Sequence, residues 1–149
     1  MAKLNAAVKN QIKNRVFYNK DEKGMDTSPE VHSDITLQIA YIQIGFQTTD
    51  MCANQVYGLS PSTSWIRKKL EAPVDVKECA LKLEEDYDYG TWQLDDSASP
   101  WKSYYDSDTG WFCVGDSRPY GGWLNIKFLD NAIACLNREH ELQALWIHL

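Results

Sequence analysis

The second half of the chain alternates short aromatic or apolar runs with turn residues, and this pattern constrains the fold most strongly. Residues 106–110 (DSDTG) separate the runs 102–105 and 111–114. Asp and Gly supply the local hydrogen bonds and the positive φ that a tight turn needs. We therefore predict a hairpin here, and a second turn at 118–122 that leads into a strand near 123–129.

The end of the chain has two apolar runs, 133–136 and 142–147, separated by the polar residues 137–140. We predict that the two runs pair as an antiparallel hairpin. A helix capped by Asp130 is the alternative, because Ala, Leu, Glu, Arg and Gln are abundant in this stretch.

The first half carries patterns that are typical of helices. Four apolar residues recur at every fourth position, which predicts an amphipathic helix of about four turns: Leu4, Val8, Ile12 and Val16. The polar residues 60–64 are suited to cap a short helix over 65–71 that Pro73 ends. Asp75 and Glu78 resemble a capping box and predict a helix over 76–86.

Between these predicted helices, residues 34–49 favour one long strand, because apolar and polar residues alternate and β-branched types are abundant. A helix through Ile35, Ile39, Ile42 and Phe46 is the alternative. The polar residues 19–33 predict an exposed loop. The expected fold is α+β: one globular domain over 1–149, with an N-terminal amphipathic helix and short helices followed by an antiparallel sheet built from hairpins.

The charge of the chain is negative and unevenly distributed. The formal net charge is −6, and residues 84–116 contain nine carboxylates against one lysine. Such a chain repels nucleic acid and anionic membranes at long range and attracts basic surfaces. We therefore expect a basic protein partner, with no direct binding of nucleic acid or membrane.

Cysteine usage indicates a reducing compartment. The four cysteines are widely spaced, no C-x-x-C pair occurs, and the first residues lack the apolar run of a secretory signal. We expect four free thiols, a cytoplasmic location, and core positions for Cys113 and Cys135, which lie in apolar runs.

Known catalytic and ligand-binding motifs are absent from the sequence. Two Asp-x-Asp-x-Gly segments, starting at Asp86 and Asp106, resemble the opening of a calcium loop, but the twelfth positions are Ser97 and Ser117 instead of a bidentate acid. No P-loop, dinucleotide fingerprint, nucleophile elbow or zinc-protease motif occurs. We expect no metal, no cofactor, no catalytic residue and no enzyme activity.

An acidic and aromatic region remains as the candidate site. Aromatic side chains are preferred interface anchors, and carboxylates around them steer a basic partner. The alternative is that the aromatics form a sheet core and the acids lie in solvated turns. The predicted partner-binding residues are Asp86, Asp88, Tyr89, Trp92, Asp95, Asp96, Trp101, Tyr104, Tyr105, Asp106 and Asp108.

These observations predict a small binding protein, a monomer or dimer. Its most concrete form is an inhibitor or immunity protein that neutralises a basic partner such as a nuclease toxin. One alternative is a sugar-binding or hydrolytic domain whose cleft combines aromatics with a pair of carboxylates. Another is a phage structural subunit, or a phage-encoded inhibitor that mimics nucleic acid.

Overall fold

The computed structural model describes residues 2–84, 90–96, 98–119 and 121–149. Within these ranges the chain is all-β, with one turn of 3-10 helix at Ser62–Ser64 and no α-helix. No helix there has the length and apolar character needed to cross a bilayer. The strands are β1 (Leu4–Ala6), β2 (Arg15–Asn19), β3 (Gly24–Ser28), β4 (Ile35–Ile39), β5 (Ile42–Phe46), β6 (Ala53–Leu59), β7 (Ile66–Arg67), β8 (Lys77–Glu78), β9 (Leu81–Leu83), β10 (Gly90–Gln93), β11 (Ser103–Asp106), β12 (Trp111–Gly115), β13 (Leu124–Leu129), β14 (Ala132–Leu136) and β15 (Leu142–His148).

Most strands belong to two large sheets. The six-stranded sheet has the order β10-β4-β5-β6-β3-β2, and the seven-stranded sheet has the order β7-β11-β12-β15-β14-β13-β8. The edge strands β10, β7 and β8 pair in parallel with their neighbours. The short strands β1 and β9 form a separate antiparallel pair.

Side chains from both large sheets meet in one apolar core. Successive side chains of a strand point to opposite faces, so alternate residues of each sheet face this core. The two sheets therefore pack as a sandwich. Fully buried members include Leu37, Ile44 and Phe46 from one sheet and Phe112, Ile126 and Phe128 from the other.

The outer face of the seven-stranded sheet is also covered. We call residues 68–76 the strap, because this segment connects β7 at one edge of the sheet to β8 at the other. Leu70 of the strap packs with Cys113, Cys135 and Trp146 in a second apolar cluster. All five residues of β14 are buried, because the core covers one face of this strand and the second cluster covers the other.

The α+β prediction was wrong, and its N-terminal helix is absent. Residues 4–6 and 15–19 form β1 and β2 instead. Leu4 and Val16 are buried, but Val8 is fully exposed, so the four-residue spacing does not mark one buried face. The segment is held by distant backbone: Leu4 donates its N–H to the His140 carbonyl, and Ala7 to the Ala80 carbonyl.

The other predicted helices were also wrong. Residues 65–71 contain β7 and the start of the strap, and residues 76–86 contain β8 and β9 within their described part. In β9, Leu81 and Leu83 are buried and Lys82 is exposed, which is the two-residue period of a strand.

Two further segments differ from the predictions. Residues 34–49 have strand character, but they form the hairpin β4–β5 instead of one long strand, because the chain reverses at Ala40 and Tyr41. Residues 24–28 of the expected loop 19–33 form β3, in which Met25 and Thr27 are buried.

Both hairpin predictions in the second half are confirmed. Strands β11 and β12 pair across residues 107–110, and β14 pairs with β15, which excludes the helical alternative there. The strand predicted near 123–129 is β13. Cys113 and Cys135 are buried, as predicted, and all four cysteines are unpaired.

Candidate binding site

The predicted acidic residues divide into buried and exposed ones. Asp95 and Asp106 are buried, whereas Asp96 and Asp108 are exposed. Asp86, Asp88 and Tyr89 lie outside the described residues.

Asp106 accepts hydrogen bonds inside the chain. Its Oδ2 accepts from the Leu70 N–H at 3.0 Å, and its Oδ1 accepts from the Asp108 N–H at 3.0 Å. These backbone N–H groups, that of Leu70 above all, hold the pKa of Asp106 below its usual value. The carboxylate therefore ties the strap to the turn between β11 and β12.

The predicted aromatic residues do not share one surface. Tyr104 packs with the second cluster and Tyr105 against the main core, because adjacent residues of β11 face opposite sides of the sheet. Trp92 is exposed on the edge strand β10, and Trp101 is partly buried against the core.

One groove combines several exposed apolar side chains. It has a volume of about 310 Å³ and lies where the β4–β5 turn and the end of β6 meet β7 and the start of β11. We call it the apolar groove and define it by Tyr41, Leu59, Ile66 and Trp101, with Pro61 and Pro100 beside them. Tyr41, Leu59 and Ile66 are 64%, 51% and 41% exposed. Large apolar residues that are exposed together mark interaction surfaces.

A buried carboxylate holds two walls of the apolar groove together. Asp95 Oδ2 accepts the N–H of Ala40 at 2.9 Å and the N–H of Trp101 at 2.9 Å. Gln93 donates its side-chain amide to the other oxygen of Asp95. Asp95 thereby fixes the turn that carries Tyr41 relative to the segment that carries Trp101.

A glycine permits the close approach of the third wall. Gly58 has a φ of +122°, and a Cβ at this position would lie 2.3 Å from the carbonyl oxygen of Tyr41. Only glycine fits such a conformation and such a contact. Gly58 therefore allows Leu59, the next residue, to lie beside the Tyr41 turn.

The charge of the apolar groove is low. Lys102 is its one charged lining residue among those the structure describes, and no carboxylate side chain lines it. Asp96 is exposed in the same loop as Pro100 and Trp101 and pairs there with Ser99 as an isolated bridge. A partner seated in the groove would thus meet apolar surface flanked by one lysine.

In the part of the chain that the structure describes, no three His, Cys, Asp or Glu side chains lie together in an arrangement that could hold a metal ion. Comparison with protein-family models and with curated proteins gave no match.

Trp101 and Asp95 were among the residues predicted from the sequence, whereas Tyr41, Leu59 and Ile66 were not. These three come from the β4–β5 turn, the end of β6 and the edge strand β7, and they meet only when the sheets assemble. A local signal near Tyr41 is the apolar run 39–42, where the alternation of apolar and polar residues fails and the chain in fact reverses.

Proposed function

We propose that this protein binds another protein through the apolar groove. The observation that carries the proposal is the exposure of three large apolar side chains around one groove whose walls are fixed by buried Asp95. Aromatic and aliphatic anchors on a preorganised surface bind with little loss of conformational entropy.

The proposed partner is basic, and the proposed class is a cytoplasmic inhibitor or immunity protein. Support comes from the net charge of −6 and from the exposed carboxylates of Asp96 and Asp108. Long-range attraction between opposite net charges increases the association rate, while the desolvated apolar anchors set the dissociation rate.

The test compares groove and control variants against the same partner. Candidate partners are captured from the source cells and from the products of neighbouring genes, purified, and titrated against each variant. The groove variant combines Leu59→Ser and Ile66→Ser, and the control is Val74→Ser, an exposed apolar residue on the strap. We expect the groove variant to lose at least about thirtyfold in affinity, since hot-spot truncations cost about 2 kcal/mol or more. Equal losses in the groove and control variants would refute the assignment of the surface.

The salt dependence of the association rate distinguishes a basic partner from a neutral one. With a basic partner, the association rate falls as salt rises, because screening shortens the range of the attraction. A partner whose association rate does not change with salt would contradict this part of the proposal.

A second candidate function, sugar binding, is favoured by another cavity. This cavity of about 200 Å³ lies between the strap and residues 116–125 and is lined by carboxylates and indoles: Glu71, Asp75, Asp116, Trp123 and Trp146. The Arg118 guanidinium group donates one hydrogen bond to each carboxylate oxygen of Asp116, at 3.0 and 2.9 Å. These hydrogen bonds lower the pKa of the Asp116 carboxyl. Indole faces and carboxylates are the groups that line many sugar sites, and this cavity brings both together.

Calorimetry with simple sugars tests this second candidate. Trp123→Leu is the site variant, and Trp92→Leu is the control because Trp92 is an exposed indole on the other sheet. Sugar binding that only Trp123→Leu abolishes would support the candidate. If the unmodified protein does not bind any of the sugars at millimolar concentration, sugar binding is refuted as a candidate function.

A further inference from the structure

A second cavity lies on the other side of β7 and differs from the apolar groove in its chemistry. Its proposed ligand does not depend on the function proposed for the groove. It has a volume of about 400 Å³, within the ~300–1,000 Å³ range of small-molecule sites. We call it the cationic cavity and define it by Lys20, Lys23, Arg67, Tyr18, Trp65 and Tyr105, with Ser62 and Thr63 at its margin. Ile66 faces the apolar groove, whereas its neighbours Trp65 and Arg67 face this cavity.

Ring contacts and hydrogen bonds hold the aromatic wall of the cationic cavity in place. The Trp65 ring lies 4.9 Å from Tyr18, 5.1 Å from Tyr105 and 5.1 Å from Phe112. Trp65 Nε1 donates to Ser60 Oγ at 2.9 Å, and Tyr18 Oη accepts the Ser62 N–H at 3.0 Å. This wall fixes the surface on which the cations lie.

Arg67 is positioned by that wall. Its Cζ lies 5.0 Å from the centre of the Tyr105 ring and 5.9 Å from that of Trp65. These cation–π contacts orient the guanidinium group without using its N–H donors. Arg67 therefore retains donors for a ligand.

In the described part of the chain, the cations of this cavity have no anionic partner. Among the described residues, the side chains of Lys20, Lys23 and Arg67 form no ion pair or hydrogen bond. No carboxylate of a described residue lines the cavity, although Asp21 and Glu22 belong to the same turn as the two lysines. Three like charges on one cavity repel each other, and a bound anion would relieve this repulsion.

We propose that the cationic cavity binds a small organic phosphate, with the phosphate group held by Arg67 and the lysines. Guanidinium and ammonium groups are the donors that recognise phosphate oxygens in proteins. The volume leaves room for an organic group beyond the phosphate, and the partly buried Tyr18 and Tyr105 supply apolar contact for a ring. The charged side chains that line the cavity are cationic, whereas Asp21 and Glu22 of the same turn do not line it, so the lining attracts an anion at short range on a chain of net charge −6.

Titration of the full chain with phenyl phosphate tests the proposal. Benzyl alcohol is the neutral analogue, phenyl sulfate is the monoanion, and a glutamate-rich peptide represents an acidic protein segment. Phenyl phosphate should bind tightest of the four. Its affinity should increase between about pH 5.5 and 7.5, because the second phosphate proton has a pKa near 6.

Three variants locate the site. Arg67→Gln and Lys20→Gln should each weaken phenyl phosphate binding, with Arg67→Gln losing about tenfold, as expected for one charge-assisted hydrogen bond. Lys13→Gln makes the same charge change at another exposed lysine and should leave the affinity within about twofold, because screening weakens distant charges. Lys20 lies in an exposed turn, so its variant remains informative if Arg67→Gln disturbs β7.

The proposal is overturned if benzyl alcohol or phenyl sulfate binds as tightly as phenyl phosphate, or if Lys13→Gln weakens binding as much as the cavity variants do. Tighter binding of the acidic peptide would overturn it in favour of a protein segment. Absence of phenyl phosphate binding at millimolar concentration also overturns it. None of these outcomes bears on the apolar groove, which has its own variants.

Discussion

Asn131 uses its side chain to satisfy both backbone polar groups of Val16. Asn131 Oδ1 accepts the Val16 N–H at 2.8 Å, and Nδ2 donates to the Val16 carbonyl at 2.8 Å. Asn131 lies in the turn between β13 and β14, and Val16 lies in β2 at the edge of the other sheet. One buried amide therefore joins the two sheets where no strand pairing does so.

We predict that Asn131→Ala lowers the free energy of unfolding by about 2–4 kcal/mol, because two buried backbone groups lose their partners. Urea unfolding at neutral pH measures this change. Asn10→Ala, an exposed asparagine, is the control and should change the stability by less than about 0.5 kcal/mol. Equal stability of the two variants would show that the Asn131 amide is not a structural link.

Asp106 and Asp108 should behave differently although they share one turn. Asp106→Ala removes the acceptor of the Leu70 N–H and should lower Tm by about 4–8 °C. Asp108 is exposed, so Asp108→Ala should leave Tm nearly unchanged and slow association with a basic partner at low salt. Differential scanning calorimetry of both variants checks the first part. A Tm for Asp106→Ala equal to that of the unmodified protein would contradict it.

Stability should fall in acid through carboxylates that accept backbone hydrogen bonds. The Leu70 N–H lowers the pKa of Asp106, and the Thr48 N–H lowers the pKa of Asp34. Both folded-state pKa values lie below the unfolded value of about 3.9, so the unfolded chain binds more protons as pH decreases. The stabilisation is complete above about pH 5 and is lost as pH falls through the folded-state values.

Urea midpoints measured from pH 6 down to pH 2 check this expectation. Asp106→Asn should lose less stability over that interval than the unmodified protein, because it lacks one of the titrating groups. A midpoint that stays constant or rises in acid would be inconsistent with the lowered pKa values.

The four cysteines should be unreactive in the folded protein. Burial raises the pKa of Cys135 to about 12 and that of Cys113 well above its usual value, so neither forms thiolate at pH 8. A thiol reagent should react slowly with the native chain and with four groups per chain after denaturation. A fast native reaction, or fewer than four groups after unfolding, would contradict the buried free thiols.

The sequence predicted those elements whose determinants are local. The β11–β12 hairpin depends on Asp106 and Gly110, whose turn chemistry lies within five residues. The β14–β15 hairpin likewise depends on residues 137–140, where the Asn137 side chain accepts the N–H groups of Glu139 and Glu141.

The N-terminal segment could not be predicted in this way, because its partners are distant in sequence. Gln11 donates its side-chain amide to the carbonyls of Lys127 and Leu129, and β1 pairs with β9. These contacts hold the backbone in extended form despite a spacing of apolar residues that is typical of a helix. The β4–β5 turn was missed for another reason: Ala40 adopts a φ of +54°, which Gly or Asn would have indicated.

The candidate site was predicted in its region but not in its arrangement. The sequence located Asp95 and Trp101, yet the role of Asp95 as a buried link appears only when the N–H of Ala40 is brought next to it. Leu59 and Ile66 are exposed, but nothing in the sequence around them distinguishes them from core residues.

The strap also limits the width of the sheet that it crosses. The six gaps between its seven strands amount to about 29 Å at ~4.8 Å per gap. Ten residue steps from Arg67 to Lys77 span at most about 33–36 Å when fully extended. The strap therefore reaches only a few ångströms farther than the width of the sheet. A relative whose strap is two residues shorter would have to lose an edge pairing, whereas a longer strap could still cross the sheet.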